Sequence, residues 1–400
     1  MTSLVESAKI FANPLLGRPS LGGIEESKIR EVANVGMGMT DLLAFWFGEP
    51  DQVTPMLIRE AAKRALDAGA TFYTQNLGTP PLREAIAAYV SRLHRPIAAS
   101  HVAVTSSGVN ALMLVYQALF DPGDRVVIIT PVWPNVTEGP KILGAAVTRV
   151  PLHYEHGWKL DLARLLAALT PATRALIINS PNNPTGWTMD RASQEIVLAH
   201  CRKLGIWIIA DDVYERLYFE PDANCAPSFL DLADEGDLLV STNSFSKSWL
   251  MTGWRLGWIV APPLLTETFA KLIEYNTSCA PSFVQQAGVV ALEQGEAITQ
   301  EFLARLKTAR DFLVGRLSTL AGVQIATPPG AMYVFLGING MSDSVAFAKR
   351  LVSEAKLGLA PGSAFGPEGE GYLRWCFASS TERLEEGVRR LKIGIAERSV

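Results

Sequence analysis

The chain has 400 residues, of which 48% are hydrophobic and 19% are charged; this is the composition of a folded globular protein and excludes a disordered one. Its 36 basic and 40 acidic residues give a formal net charge of −4, which argues against a nucleic-acid-binding surface and leaves small-molecule chemistry open. At this length we expect two domains.

The sequence favours a cytoplasmic location. The four cysteines form no CxxC pair and lie far apart, so they indicate neither a disulfide framework nor a zinc site. The N-terminus, MTSLVESAKIF, lacks the apolar core of a secretory signal. The longest uncharged run, residues 102–120, contains a polar turn, and a strand followed by a helix explains it better than a membrane span. We expect a soluble protein without membrane or nucleic-acid partners.

The middle of the chain alternates strands and helices. The predicted strands are His101–Thr105, Arg125–Thr130, Ala175–Asn179, Ile206–Ala210, Leu238–Ser241 and Leu256–Val260, and the clearest helices are Asn110–Phe120 and Ala192–Leu204. This alternation predicts βαβ units in an α/β fold, with a mainly parallel central sheet flanked by helices. Ligands of such sheets bind beyond the carboxyl ends of the strands.

After about residue 262 the pattern changes to long helices and a smaller α+β domain. The predicted helices are Pro262–Tyr275, Gln285–Gln294, Thr299–Leu320 and Thr381–Glu397, with strands near Gln324, Tyr333–Leu336 and Leu373–Phe377. We divide the chain into an N-terminal arm and helix (1–46), a large domain (47–290) and a small C-terminal domain (291–400). A helix near Glu25–Val35 is expected to join the small domain or a neighbouring subunit.

Two basic residues that follow a predicted strand are candidates for catalysis and for anion binding. Lys247 lies among hydroxyl and aromatic side chains, where burial would lower the pKa of its amine and let it attack a carbonyl. Arg255, eight residues later, offers a guanidinium that suits a phosphate. A surface lysine at the start of a helix is the simpler alternative for Lys247 alone.

Three polar residues end or follow two other predicted strands. Asn183 lies in the proline-fixed loop SPNNPTG, where its amide would point into a cleft, although such a loop is often only a turn. Asp211 ends an apolar strand, so its carboxylate needs a partner, and a protonated pyridine nitrogen is one. Tyr214 adds a phenol three residues on. Helix capping by Asp211 and core packing of Tyr214 are the alternatives.

A polar turn around Ser107 precedes a helix, and the free N–H groups of a helix start form an anion site. It lacks the lysine of a nucleotide-binding P-loop. A phosphate, a ring nitrogen that needs an anion, a phenolate oxygen that needs donors and an aldehyde that needs a lysine together indicate pyridoxal 5′-phosphate.

The combination of motifs resembles a known family. The motifs are GEPD (48–51), YTQNLGTPPLREAI (73–86), SPNNPTG (180–186), DDVY (211–214), SFSK (244–247) with Arg255, PGSAFG (361–366) and LRWCFA (373–378). With them, the sequence resembles the class I and II aminotransferases of the fold-type-I pyridoxal-phosphate family, close to the bacterial aspartate and aromatic enzymes. The resemblance runs from about Phe45 to the C-terminal helix.

The resemblance implies a role for each residue that matches a family position. Lys247 would form the Schiff base with the cofactor and shuttle the proton, Asp211 would face the ring nitrogen, and Asn183 and Tyr214 would donate to the ring 3-oxygen. Trp133 would stack on the ring. The phosphate would be held by Ser107, Gly108, Val109, Ser244 and Arg255, and by Tyr73 of a neighbouring subunit, which implies a homodimer with shared sites. The substrate would contact Arg374, which clamps the α-carboxylate, as well as Gly48, Asn183 and Trp133.

The resemblance also implies the reaction, in which an amino group moves from an L-amino acid to a 2-oxo acid by a ping-pong mechanism. The bulky segment at 45–47 lies near the substrate mouth in the family, and it favours a neutral or aromatic side chain. No arginine is evident that reads a second carboxylate, which puts strict aspartate specificity in doubt, while glutamate or aspartate can still be accepted.

Other functions remain open at this point. A C–S β-lyase, a decarboxylase or an oxidase could use the same scaffold and cofactor. A ligand-sensing regulator is disfavoured, because about 45 residues before the domain are too few for a DNA-binding module and linker. His153 and His156 have the wrong spacing for a helical metal site, so we expect no metal.

Overall fold

The computed structural model describes residues 18–396, so the first 17 residues of the predicted N-terminal arm and the last four residues of the chain lie outside it. The helices are α1 (Lys28–Val35), α2 (Met56–Asp67), α3 (Pro80–Leu93), α4 (Gly108–Leu119), α5 (Pro134–Ile142), α6 (Leu162–Ala168), α7 (Arg191–Leu204), α8 (Pro263–Glu274), α9 (Ser282–Gln294), α10 (Glu296–Leu317), α11 (Ser344–Ala355) and α12 (Thr381–Ala396). No helix between residues 18 and 396 is both long and apolar enough to cross a bilayer.

The strands follow the same chain order. They are β1 (Leu43–Ala44), β2 (Val102–Thr105), β3 (Arg125–Thr130), β4 (Ala146–Pro151), β5 (His153–Tyr154), β6 (Trp158–Lys159), β7 (Thr173–Asn179), β8 (Trp207–Asp211), β9 (Leu239–Ser244), β10 (Gly257–Val260), β11 (Val323–Gln324), β12 (Tyr333–Ile338), β13 (Leu357–Gly358), β14 (Ala360–Pro361) and β15 (Tyr372–Cys376).

A seven-stranded sheet in the order β2-β10-β9-β8-β7-β3-β4 forms the centre of the large domain. Only β10 runs antiparallel to its neighbours. Alternate residues of the buried strands belong to two different apolar clusters: Ile208 packs on the face that carries α3 and α9, and Ile209 packs on the face that carries α4. Helices thus cover both faces, which confirms the predicted α/β fold with a mainly parallel sheet.

The smaller sheet is antiparallel and has the order β11-β12-β15-β14. Its core contains Leu313, Phe335, Leu351, Trp375 and Leu391, which come from α10, α11, α12 and two strands. Helix α1 packs against α11 and β14, and β1 pairs with β13. The predicted domain boundaries at residues 46 and 290 stay predictions.

Some strands differ from the prediction because their residues are not simply apolar. Strand β9 extends to Ser244, three residues past its predicted end, because Thr242, Asn243 and Ser244 are polar although they are buried. Strand β4 was not predicted, since it mixes Thr148 and Arg149 with its valines. The segment around His153 forms a short hairpin of β5 and β6. Within residues 18–396 no group of three or more His, Cys, Asp and Glu side chains is placed to hold a metal.

Candidate active site

A cleft of about 740 Å³ opens at the carboxyl ends of β7, β8 and β9 and is also lined by residues of β12 and β15. Eleven of the residues that the sequence analysis named line it. They are Gly48, Gly108, Val109, Trp133, Asn183, Asp211, Tyr214, Ser244, Lys247, Arg255 and Arg374. Ser107, which precedes Gly108, and Tyr73 are not among the lining residues.

One end of the cleft is built to hold an anion. Helix α4 begins there at Gly108, and the Ser107 hydroxyl oxygen caps it by accepting from Asn110 N at 3.1 Å. Ser107 has a φ of +136° and Arg255 a φ of +55°, conformations that cost about 1–3 kcal/mol each and concentrate at functional sites. A side chain at Gly257 would lie 2.7 Å from Gly108 N, so only glycine lets this turn approach β10.

Lys247 follows β9 in a turn rich in serines. Its Nζ donates to the carbonyl oxygen of Gly48. Burial lowers the pKa of the Lys247 amine to about 8, with a further lowering from Arg374. In the same turn the Ser244 hydroxyl donates to Ser246 Oγ at 2.9 Å, and both serines line the cleft. The lysine is therefore close to the neutral form that can accept a proton or attack a carbonyl.

Asp211 lies at the floor of the cleft, where Asn179 of the neighbouring strand pairs with it in register. The Asn179 amide donates to Asp211 Oδ2 at 3.2 Å and accepts from the backbone N of Asn183 at 2.8 Å. Burial raises the pKa of the Asp211 carboxyl to about 7, against the lowering effects of the Val213 backbone and Lys247. The sequence analysis missed Asn179, although a polar residue at the end of the strand beside Asp211 was a usable signal.

Arg374 reaches the cleft from β15 and is 2% exposed. It donates to Asn183 Oδ1 at 3.1 Å and to the carbonyl oxygen of Trp46. Its Nε is buried and has no hydrogen-bond partner among the described residues. A buried guanidinium with an unused donor is suited to bind a carboxylate through two parallel hydrogen bonds.

Tyr214 and Tyr333 meet in the cleft, with their hydroxyl oxygens 2.7 Å apart. Both are buried, and the guanidinium of Arg374 lies 4.5 Å from the centre of the Tyr333 ring. The sequence pattern places Tyr333 in a strand and indicates no site role for it. Its position beside Arg374 follows from the antiparallel register of β12 with β15, which one sequence does not supply.

The mouth of the cleft is aromatic and carries paired cations. Trp46 and Phe47 line it, whereas Phe45 packs on Trp375 and, with Trp46 and Phe47, borders a second cavity of about 180 Å³. Three lining cations have a carboxylate partner: Lys28 with Glu25 at 3.1 Å, Lys141 with Glu138 at 2.6 Å and Arg149 with Glu368 at 2.7 Å. Arg30 lies 5.9 Å from the centre of the Phe47 ring.

The residues of the cleft fit pyridoxal phosphate. The helix start at Gly108 and the guanidinium of Arg255 suit its phosphate. The buried carboxylate of Asp211 suits a protonated ring nitrogen, because a positive charge there would replace the solvation that burial removes. Lys247 supplies an amine of lowered pKa for the aldehyde.

Comparison with known proteins adds independent findings. Residues 40–391 match the family model described as aminotransferase class I and II. An aspartate aminotransferase of Pyrococcus horikoshii is 38% identical over 373 residues, which cover 92% of this chain and 94% of that protein.

Solved structures agree with the sequence match. A crystal structure of an aromatic aminotransferase from the same organism aligns with a TM-score of 0.84 at 32% identity, over 92% of this chain and 99% of that one. An aspartate aminotransferase of Thermotoga maritima aligns with a TM-score of 0.88 at 33% identity, over 94% and 99%. These findings do not favour the β-lyase, decarboxylase and oxidase alternatives.

Proposed function

The chain belongs to the class I and II aminotransferases, and from that premise we propose which of its residues move the amino group and which substrates it takes. As a member it is a pyridoxal-phosphate-dependent transferase. The observation that carries the proposal is the convergence of Lys247, Asp211 and Arg374 on one cleft, although they lie on separate elements.

Lys247 is the proposed proton carrier. Bound pyridoxal phosphate supplies an aldehyde that condenses with amines and a protonated ring that withdraws electrons from the carbon bearing the amino group. With its pKa lowered to about 8 by burial, the Lys247 amine can take a proton from that carbon near neutral pH and return it elsewhere. Its hydrogen bond to the Gly48 carbonyl holds the amine at the substrate end of the cleft.

Asp211 is the proposed partner of the ring nitrogen. Asn179 fixes the carboxylate by donating to it, and the same asparagine fixes the Asn183 loop. Asn183 and Tyr214 are the proposed donors to the 3-oxygen of the ring, with Trp133 stacked on it. Ser107, Gly108, Val109, Ser244 and Arg255 are the proposed phosphate ligands.

Arg374 is the proposed ligand of the substrate α-carboxylate, with the backbone of Gly48 beside it. The carboxylate can take up the free Nε donor and displace the hydrogen bond to Trp46 or Asn183. The charge that binds the substrate is thus already buried and held before the substrate arrives, which reduces the cost of ordering it.

Aromatic and neutral L-amino acids are the proposed amino donors, with glutamate or aspartate as further substrates. Trp46, Phe47 and Tyr333 offer an apolar wall to a side chain. Lys28, Lys141 and Arg149 are already paired with carboxylates, so a second substrate carboxylate would have to compete for them. Arg30 at the rim is the cation best placed to accept an acidic side chain.

A homodimer is the proposed assembly. Phe72, Tyr73 and Tyr275 are 82%, 89% and 91% exposed, which is unusual for large aromatic side chains. Asn76 donates to Glu274 at 2.8 Å and so joins the loop of Tyr73 to the end of α8. A second copy on this surface would bury the rings and bring its Tyr73 toward the phosphate end of the cleft.

The four cysteines are unpaired, which supports the proposed cytoplasmic location.

A half-reaction tests the proposed function. The absorbance of the purified, cofactor-loaded protein is recorded while single amino acids are added without any oxo acid. We expect a change of the cofactor band and one equivalent of the matching 2-oxo acid per site, without ammonia, most readily from aromatic donors. Release of ammonia or carbon dioxide with an unchanged band would contradict amino-group transfer by this chain.

A mixing experiment tests the shared sites. Lys247→Ala and Tyr73→Ala are each expected to be impaired, and reassortment of the two into mixed dimers should restore about a quarter of the wild-type sites. Mixing without recovery, at a molecular mass that shows dimers, would assign Tyr73 to a role outside the site of its partner.

A further inference from the structure

We propose that the hydroxyl of Tyr333 is a positioning donor, which hydrogen-bonds the Tyr214 hydroxyl and so holds it toward the ring oxygen of the cofactor. The inference rests on the proposed function, because it assumes that Tyr214 donates to that oxygen. The main observation in its support is that the two hydroxyl oxygens lie 2.7 Å apart inside the cleft.

Donor counting fixes the direction of this hydrogen bond. A phenol has one hydrogen to donate and can accept as well. Burial raises the pKa of both Tyr214 and Tyr333, so both stay protonated across the working pH range. If Tyr214 donates its hydrogen to the ring oxygen, only Tyr333 can be the donor in the hydrogen bond between the two hydroxyls. Such a chain strengthens each of its hydrogen bonds.

The surroundings of Tyr333 leave its ring little freedom. The rings of Tyr333 and Tyr214 meet edge to face, with centres 5.6 Å apart at an angle of 81°. The guanidinium of Arg374 covers the Tyr333 ring at 4.5 Å. On the remaining side, a side chain at Gly48 would lie 2.0 Å from the Tyr333 hydroxyl oxygen, so glycine is required for the backbone to pass this close.

This placement links Tyr333 to groups that the proposed function uses. Gly48 accepts from Lys247, and Trp46, two residues earlier, accepts from Arg374. The Tyr333 hydroxyl therefore lies between the proton carrier, the carboxylate ligand and the ring-oxygen donor. A role in core packing alone would need the ring but not the hydroxyl, and that difference can be measured.

The test is a pH titration of the visible absorbance of the bound cofactor in Tyr214→Phe, Tyr333→Phe and the double variant. A hydrogen-bond donor to the ring oxygen stabilises the oxygen anion and so lowers the pH at which the bound cofactor loses the neighbouring proton. Tyr214→Phe should therefore raise the midpoint pH of the titration. Tyr333→Phe keeps the ring and should raise it by about 0.5–1 pH unit, less than Tyr214→Phe does. The double variant should match Tyr214→Phe, because the effect of Tyr333 passes through Tyr214.

Steady-state kinetics and a control variant complete the experiment. Because Arg374 keeps its aromatic neighbour in Tyr333→Phe, kcat should fall about 3–10-fold while KM for the amino acid changes less. Tyr372→Phe is the matched control, since the Tyr372 hydroxyl bonds Gln324 outside the cleft; it should leave the midpoint unchanged.

The outcomes separate this inference from the proposed function. A raised midpoint in Tyr214→Phe with no shift in Tyr333→Phe would overturn the inference and leave the function standing. Additive shifts in the double variant would also overturn it, because Tyr333 would then act without Tyr214. No shift in Tyr214→Phe would count against the proposed role of Tyr214 itself.

Discussion

Asp211 and Asp212 are neighbours in the chain and are almost equally buried, yet they belong to two different regions of the molecule. Asp211 is the last residue of β8 and lines the cleft, whereas Asp212 directly follows the strand and its side chain lies on the other side of the sheet. There it accepts from Ser241 at 2.6 Å and from Ser228 at 3.3 Å.

The region behind the sheet is a closed polar cluster. His94 bonds Glu215 at 3.0 Å and Asp231 at 2.7 Å, and Glu215 also accepts from Asn243 at 2.7 Å. Burial and the nearby Glu215 raise the pKa of Asp212, against the lowering effects of the Ser241 hydrogen bond and of His94. In the cleft, by contrast, the Nε of Arg374 is buried and has no hydrogen-bond partner among the described residues.

The difference separates buried charges that stabilise the fold from buried charges that await a ligand. Charges in the polar cluster have protein partners, so removing one of them should cost stability. Charges in the cleft are incompletely paired, so removing one should cost binding or turnover and relieve the fold.

Lys247→Ala should have the largest effect. Loss of the amine removes both the nucleophile and the proton carrier, and turnover should fall by about 10⁴-fold or more. The melting temperature should not fall, since the variant removes a buried amine whose pKa burial depresses. Single-turnover rates measure the loss of turnover. The control is Lys271→Ala, which removes an exposed lysine of α8. Activity within tenfold of the wild type would refute the assignment.

Asp211→Asn should lower turnover by about 10²–10³-fold, because the ring nitrogen loses its anionic partner. The same substitution should instead raise the folding stability of the cofactor-free protein. Burial raises the folded-state pKa of Asp211 to about 7 from an unfolded value near 4, so the folded state binds the extra proton in that window. Wild-type stability therefore falls relative to Asp211→Asn as pH rises from about 4 to 7 and then levels off.

Thermal unfolding of the cofactor-free proteins at pH 5 and pH 8 checks this sign. The variant should gain about 2–4 kcal/mol relative to the wild type at pH 8 and little at pH 5. A variant that is less stable than the wild type at pH 8 would place Asp211 with the polar cluster, among the residues that support the fold.

The sequence predicted the cleft side of this comparison better than the other side. Asp211 and Asn183 follow recognisable strands, and parallel strands bring their carboxyl ends together, so spacing and motifs located them. The polar cluster joins His94, Glu215 and Asp231, which are distant in sequence and carry no motif. Tyr333 was missed for a related reason, because its neighbours depend on the register between β12 and β15.

His94→Ala should lower stability by about 3 kcal/mol, since the buried Glu215 and the partly buried Asp231 would lose their cation. Burial lowers the pKa of His94, but the hydrogen bonds to Asp231 and Glu215 outweigh it and raise the pKa to about 10. The stabilisation is thus complete below about pH 6.5 and is lost as pH rises through 10. Chemical denaturation at pH 6 and pH 10 measures it, and the KM of the folded fraction should stay within threefold.

Arg374→Lys should have the smallest effect, and Arg216→Lys is its counterpart at a buried arginine outside the cleft. Both arginines are 2% exposed, but Arg216 bonds Tyr89 at 3.0 Å, Asn224 at 2.9 Å and Glu296, whereas Arg374 has a free Nε. A lysine keeps the charge and loses the paired donors. Arg374→Lys should therefore raise KM for amino acids about 10–100-fold at an unchanged melting temperature, and Arg216→Lys should lower the melting temperature at an unchanged KM. If the two variants shift the same quantity, partner count does not distinguish binding charges from structural ones in this fold.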